Sequence, residues 1–133
     1  MKKDLSKYRL EDSKEKLESS KLLFENGKYK DSISRSYYAM FSATRAILAT
    51  KGLDSSKHSG VISLFNQHFV KTKIVRKEMG RLLSEAQEGR EKSDYQDFVI
   101  ISKEETQKQL QSAKEFIHEI EKALEKIWNE SNE

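Results

Sequence analysis

The sequence predicts an all-α protein, a single up-and-down bundle of about five helices forming one domain over residues 1–133. Three observations carry that expectation. No proline interrupts the chain, so the strongest helix breaker is absent from every segment. Apolar residues recur at steps of three and four, which gathers them on one helix face. Charged and apolar residues each make up 35% of the chain, a balance that suits long solvated helices around one modest core rather than a sheet.

The first helix is expected from about Leu5 to Glu25, where Leu10, Leu17 and Phe24 stand seven residues apart with Leu23 beside the last. Asn26–Gly27 supplies its stop, because both residues tolerate the left-handed conformation a helix end requires. The second is expected from about Lys30 to Lys51. Ile33, Tyr37, Phe41, Thr44 and Leu48 form its stripe, Ala39, Ala43 and Ala46 allow a close helix neighbour, and Gly52 ends it. Asp54–Ser55–Ser56 offers N-caps for a third helix with Val61, Leu64, Phe65, His68 and Phe69 facing inward.

The basic stretch Lys71–Lys77 breaks that pattern. A fourth helix is expected from about Val75 to Gly89, which the glycine would end, with Ser93 to Phe98 irregular or loosely helical. Ser102, followed by Glu104 and Glu105, predicts the start of the last helix, since acidic residues in a first turn suit the helix dipole. That helix should run to about Trp128, with Leu110, Ala113, Ile117, Ile120, Leu124 and Ile127 as a bundle seam.

Several function classes are disfavoured by composition. No apolar run approaches the roughly 20 residues that span a bilayer. No secretory signal is visible after Met1–Lys2–Lys3–Asp4, and the absence of cysteine fits a reducing cytoplasm, so a cytoplasmic protein is expected. His58, His68 and His118 are too scattered for a metal site, no phosphate-loop or EF-hand spacing occurs, and no cofactor is expected. The net charge of +3 is mild, although Lys71, Lys73, Arg76, Lys77 and Arg81 form a local basic cluster that either binds phosphate or is a solvated surface.

Two polar constellations stand out. On the second helix, positions 35, 38, 42 and 45 form one row, which places Arg35, Tyr38 and Arg45 together. That row is either a ligand face, with arginines for an anion and a phenol to stack, or a boundary with another helix or a dimer mate. Tyr37 points about 100° away and is expected to be buried with its hydroxyl hydrogen-bonded. The second constellation is Arg90, Asp94 and Tyr95, either a local ion pair or a phosphate-binding arginine beside a phenol. Lys57–His58 opens the third helix, where His58 is either an acid–base group near neutral pH or a packing residue. His68 is expected to pack against the core, and His118 to face solvent.

The run Asp31–Ser32–Ile33–Ser34–Arg35–Ser36–Tyr37–Tyr38–Ala39–Met40–Phe41, the later Lys57–His58–Ser59–Gly60–Val61 and Arg90 through Tyr95 resemble the HEPN domain family of prokaryotic helical proteins. The resemblance covers nearly the whole chain. It implies a helical bundle that forms a homodimer, a genomic partnership with a small nucleotidyltransferase, and in many pairs an RNA-cutting toxin. In such toxins four to six residues separate an arginine from a following histidine, and the pair cuts RNA without metal. Arg90 matches the arginine, but Tyr95, Gln96 and Asp97 occupy the histidine positions. A phenol with an ordinary pKa of about 10 is a poor general base at neutral pH. His58 is the candidate to supply the proton transfer from another helix. The sequence reading is therefore a nucleotide- or RNA-associated partner of a nucleotidyltransferase, with a ribonuclease toxin and a non-catalytic dimeric adaptor as alternatives. Arg35, Tyr38, Arg45, Lys57, His58, Arg90, Asp94 and Tyr95 are its candidate binding residues, and Arg90 and His58 its candidate catalytic residues.

Overall fold

In the computed structural model, which describes residues 1–130, five α-helices pack with no strand among those residues. They are α1 (Lys2–Glu25), α2 (Tyr29–Ala49), α3 (His58–Phe65), α4 (Glu78–Tyr95) and α5 (Lys103–Glu130), and a π-helical turn, Asn66–Val70, follows α3. The expected all-α bundle is the observed one. The glycine stops after α1 and α2 fall where expected. Gly27 and Gly52 adopt φ of +72° and +67°, and the next amides reach back to Leu23 O and Leu48 O. Those bonds satisfy carbonyls that a helix end leaves orphaned.

Helix α2 lies at the centre and packs against α1, α3, α4 and α5. Thirteen of its 21 residues are buried, so it is enclosed on most sides rather than along one stripe. Its seam with α1 differs from the expected leucine stripe. Leu10 is buried, but the other residues that α1 buries are Ser6, Ser13 and Ser20, while Leu17 and Phe24 are only half-buried. Ser13 and Ser20 face the small residues of α2. Ser13 Oγ donates to Ala39 O at 2.7 Å, Ser20 Oγ to Ser32 O at 2.8 Å, and Ser32 Oγ to Ser20 O at 2.8 Å. Small side chains let the backbones approach, and facing carbonyls provide the partners that the buried Ser13, Ser20 and Ser32 hydroxyls need, whereas the buried Ser6 hydroxyl has no hydrogen-bond partner among the described residues.

Three helix boundaries also depart from expectation. First, α3 begins at His58 with Lys57 at the cap, and no side chain of Asp54, Ser55 or Ser56 caps it. Asp54 is drawn away by Arg45 and Arg9, and Ser55 Oγ accepts the Lys57 amide instead. A Cβ at Gly60 would stand 2.1 Å from Ser55 Oγ, so this turn requires glycine.

Second, α4 starts at Glu78 rather than Val75 and does not end at Gly89. It continues to Tyr95. Gly89 is there for close approach: an added Cβ would lie 2.6 Å from Gln109 Oε1. The Gln109 amide crosses this gap and donates to Ile33 O at 2.8 Å and Ser36 Oγ at 2.7 Å. Third, α1 extends back to Lys2. The last helix opens as expected, with Ser102 Oγ accepting the Glu105 amide at 3.0 Å. Its seam gains Phe116, which is fully buried and tilts against Phe65, whereas Ile127 is half-buried.

Candidate functional site

Three helices bring aromatic and basic groups to one place. α2 contributes Tyr37, Tyr38 and Phe41, α3 contributes its first residue His58, and α4 contributes Arg90, Asp94 and Tyr95. The passage of α4 through Gly89 is what sets the last three. Because the helix is regular there, Arg90 and Asp94 lie one turn apart. Arg90 Nε donates to Asp94 Oδ2 at 3.1 Å and Nη2 donates to the Tyr95 hydroxyl at 3.1 Å. The guanidinium carbon stands 5.7 Å from the Tyr37 ring centroid, 5.3 Å from Tyr38 and 5.3 Å from Tyr95. Three phenol rings thus surround one cation at distances where ring quadrupoles attract it.

His58 meets the same tyrosines. Its Nδ1 lies 3.0 Å from the Tyr37 hydroxyl. Its ring stacks on Phe41 with centroids 4.2 Å apart and meets Tyr38 edge-on at 5.9 Å. Arg90 and His58, 32 positions apart in the chain, both contact Tyr37 and Tyr38.

The electrostatics follow from this packing. Burial pushes the Tyr37 phenol up to about 12, a rise that Arg90 opposes and that Tyr38 and Glu91 support, so the phenol is protonated at neutral pH. Burial lowers His58 from its ordinary value of 6.5, and the positive charges of Arg90 and Arg45 lower it further. Burial works against the charge on Arg90, but Tyr38, Tyr95 and Asp94 together raise its pKa. The site therefore holds one secure cation beside a neutral imidazole.

Among the candidate residues, Tyr38, His58, Arg90, Asp94 and Tyr95 come together. The other three, Arg35, Arg45 and Lys57, make no hydrogen bond to that group among the described residues. Arg45 is bound by Asp54, with Nη2 to Oδ2 at 2.9 Å and Nε to Oδ1 at 3.3 Å, although its charge still reaches His58. Position 42 of the expected row is nearly buried, and Ser42 donates to Asp12 Oδ2. Arg35 is exposed and acts on that same Asp12. Lys57 is exposed at the cap of α3.

Two participants escaped the sequence reading. Phe41 stacks on His58, and Tyr37, expected only to find some partner for its hydroxyl, finds His58. Tyr37 lies 21 positions from His58, and nothing local in the chain between them signals either contact.

Two other surfaces are separate from this cluster. Within the mid-chain basic stretch, Arg76 pairs with Glu115 and Glu119, and Arg81 with Glu85, which neutralises part of the patch. A cleft of about 280 Å³ between α4 and α5 is lined by Ile33, Leu82, Ala86, Gly89, Ile101 and Gln109 among others, and none of the candidate residues lines it. No group of three or more His, Asp or Glu side chains among the described residues is arranged to hold a metal ion.

Comparison with known proteins places these observations. The model of the HEPN domain matches residues 6–123. A protein of Thermotoga maritima named "UPF0332 protein" is 38% identical over 115 residues, 86% of this chain and 87% of that one. Two proteins of Methanocaldococcus jannaschii, each named "Putative toxin", are similar over comparable spans. One is 36% identical, over 89% of this chain and 87% of its own length. The second is 34% identical, over 92% and 83%.

Proposed function

The chain belongs to the HEPN domain family, and from that premise we propose that it is a nucleotide- or RNA-binding module that works beside a small nucleotidyltransferase. The observation that carries this reading is the convergence of Arg90 and His58 on the Tyr37–Tyr38 pair. Of the five N–H donors of Arg90, Asp94 and Tyr95 occupy one on Nε and one on Nη2. The two on Nη1 and the second on Nη2 are left to bind a phosphate oxygen, with the charge-assisted strength that suits guanidinium to phosphate. Half-buried Tyr38 and exposed Tyr95 offer ring faces on which an unpaired base stacks.

The measurement is a fluorescence titration with a labelled nucleotide and a short single-stranded RNA at low salt. Arg90→Ala should weaken binding at least about tenfold, the value of one charge-assisted hydrogen bond. Absence of binding by the wild type, alone and with the partner, would remove the proposal.

The same site supports a second reading, a metal-independent ribonuclease toxin. Two similar proteins carry the word toxin in their names, and here an arginine and a histidine share one aromatic wall. Growth arrest on expression, relieved by Arg90→Ala, favours this reading. Equal RNA cleavage by wild type and His58→Ala excludes His58 from it. In the third reading, a non-catalytic adaptor, Arg90→Ala leaves partner pull-down and every other activity unchanged. Under all three we propose a homodimer formed through α2 and the Arg90–Tyr95 segment. Tyr95, Phe98 and Ile100, all strongly exposed, support that face.

A further inference from the structure

We propose that Tyr37 is a positioning residue that donates its phenol proton to His58 Nδ1, fixing His58 as the Nε2–H tautomer, a hydrogen-bond donor to an oxygen of the bound nucleotide or RNA. The inference rests on the binding function proposed above, but the tautomer itself does not.

The argument begins with burial. Tyr37 is fully buried, and its hydroxyl has one partner among the described residues, His58 Nδ1 at 3.0 Å. If Nδ1 carried the proton, the phenol would accept it and its own O–H would be buried without an acceptor, a costly arrangement. The phenol stays protonated at neutral pH because burial raises its pKa to about 12. The imidazole stays neutral because burial and two guanidinium groups, Arg90 from α4 and Arg45 from α2, disfavour its charged form. Tyr38 meets the ring edge-on.

A neutral imidazole has one N–H, and with Nδ1 accepting it must sit on Nε2. Nε2 makes no hydrogen bond to the described residues and is not among the side-chain atoms sealed from solvent. Phe41 stacked at 4.2 Å holds the ring plane. His58 is therefore set up to donate, and not to remove a proton as a general base.

Long-range proton–nitrogen spectra of the ligand-free protein at about pH 7.5, above the ordinary imidazole value, read the tautomer directly. The expected result is protonated Nε2 in the wild type and a shift towards mixed tautomers in Tyr37→Phe. Affinity for a short single-stranded RNA should fall about fivefold in Tyr37→Phe, the value of one hydrogen bond. In a His58→Ala background, Tyr37→Phe should cost no further affinity. Protonated Nδ1 in the wild type, or a tautomer unchanged by Tyr37→Phe, overturns the inference, and the wild-type spectrum decides even if the variant fails to fold. RNA that binds neither protein defeats the binding proposal while the spectrum still reports on Tyr37. An additional affinity loss without His58 shows that Tyr37 acts by another route and overturns the positioning role.

Discussion

Burial, Arg90 and Arg45 all hold His58 below its ordinary pKa of 6.5, so the unfolded chain takes up this proton before the folded one does. Where the unfolded state binds more protons, stability rises with pH. His58 therefore contributes fully above about pH 6.5, and its contribution is lost as pH falls below that value. The paired carboxylates act lower. Asp54, held down first by its hydrogen bond from Arg45, and Asp12, held down first by Lys16, stabilise above their ordinary 3.8 and lose that effect beneath it. Thermal melts should thus show a decline just below pH 6.5 that His58→Gln flattens, followed by a separate acid decline that it leaves intact. An unchanged slope in His58→Gln would assign the first decline to another group. At this scale the sequence named most of the cluster, because Arg90, Asp94 and Tyr95 are helical neighbours and their spacing is local. It did not pair Tyr37 with His58, since that contact is made between two helices.

Gly89 shows how one element was misread and why. A lone glycine near the end of an apolar pattern looks like a stop, and in isolation it costs a helix roughly 1 kcal/mol relative to alanine. Here the surroundings override propensity, because Gln109 from α5 fills the space a Cβ would take. Gly89→Ala should gain that propensity but strain or break the Gln109 bonds to Ile33 O and Ser36 Oγ, each worth about 1 kcal/mol. We expect a net loss of about 1 kcal/mol by denaturant titration. In a Gln109→Ala background the same change should become stabilising, and a cycle with no coupling would show that the contact does not decide this glycine.

The α1–α2 seam was hidden for a related reason. Ser6, Ser13 and Ser20 repeat every seven residues between Leu10, Leu17 and Phe24, but a hydroxyl scores as polar in any search for an apolar stripe. Ser20→Val adds bulk where two backbones are close and removes the donor to Ser32 O, and should cost about 1–3 kcal/mol. A neutral Ser20→Val would mean the helices have room to separate.

Over the whole molecule, the proposed dimer and RNA binding can be tested at the exposed surface and by salt. Phe98 is fully exposed at a φ of +59°, and Ile100 is 87% exposed, in the segment between α4 and α5. If a second copy covers them, sedimentation should give a dimer that Phe98→Ser and Ile100→Ser together convert to monomer. A wild type that is monomeric at every concentration would exclude this. RNA binding should weaken as salt rises, in proportion to the phosphates neutralised, and Arg90→Ala should lower that slope by about one.

The sequence by itself determined the all-α class, three of the helix ends at Gly27, Gly52 and Ser102, and membership of the family, because periodicity, stop residues and short motifs are properties of neighbours along the chain. Tertiary structure decided which helix is central, that α4 runs through Gly89, that serines rather than leucines line the α1–α2 seam, and that His58 meets Arg90 across two tyrosines. Those outcomes depend on which surfaces meet in space, and close approach, burial and shared protons arise only once the helices are packed.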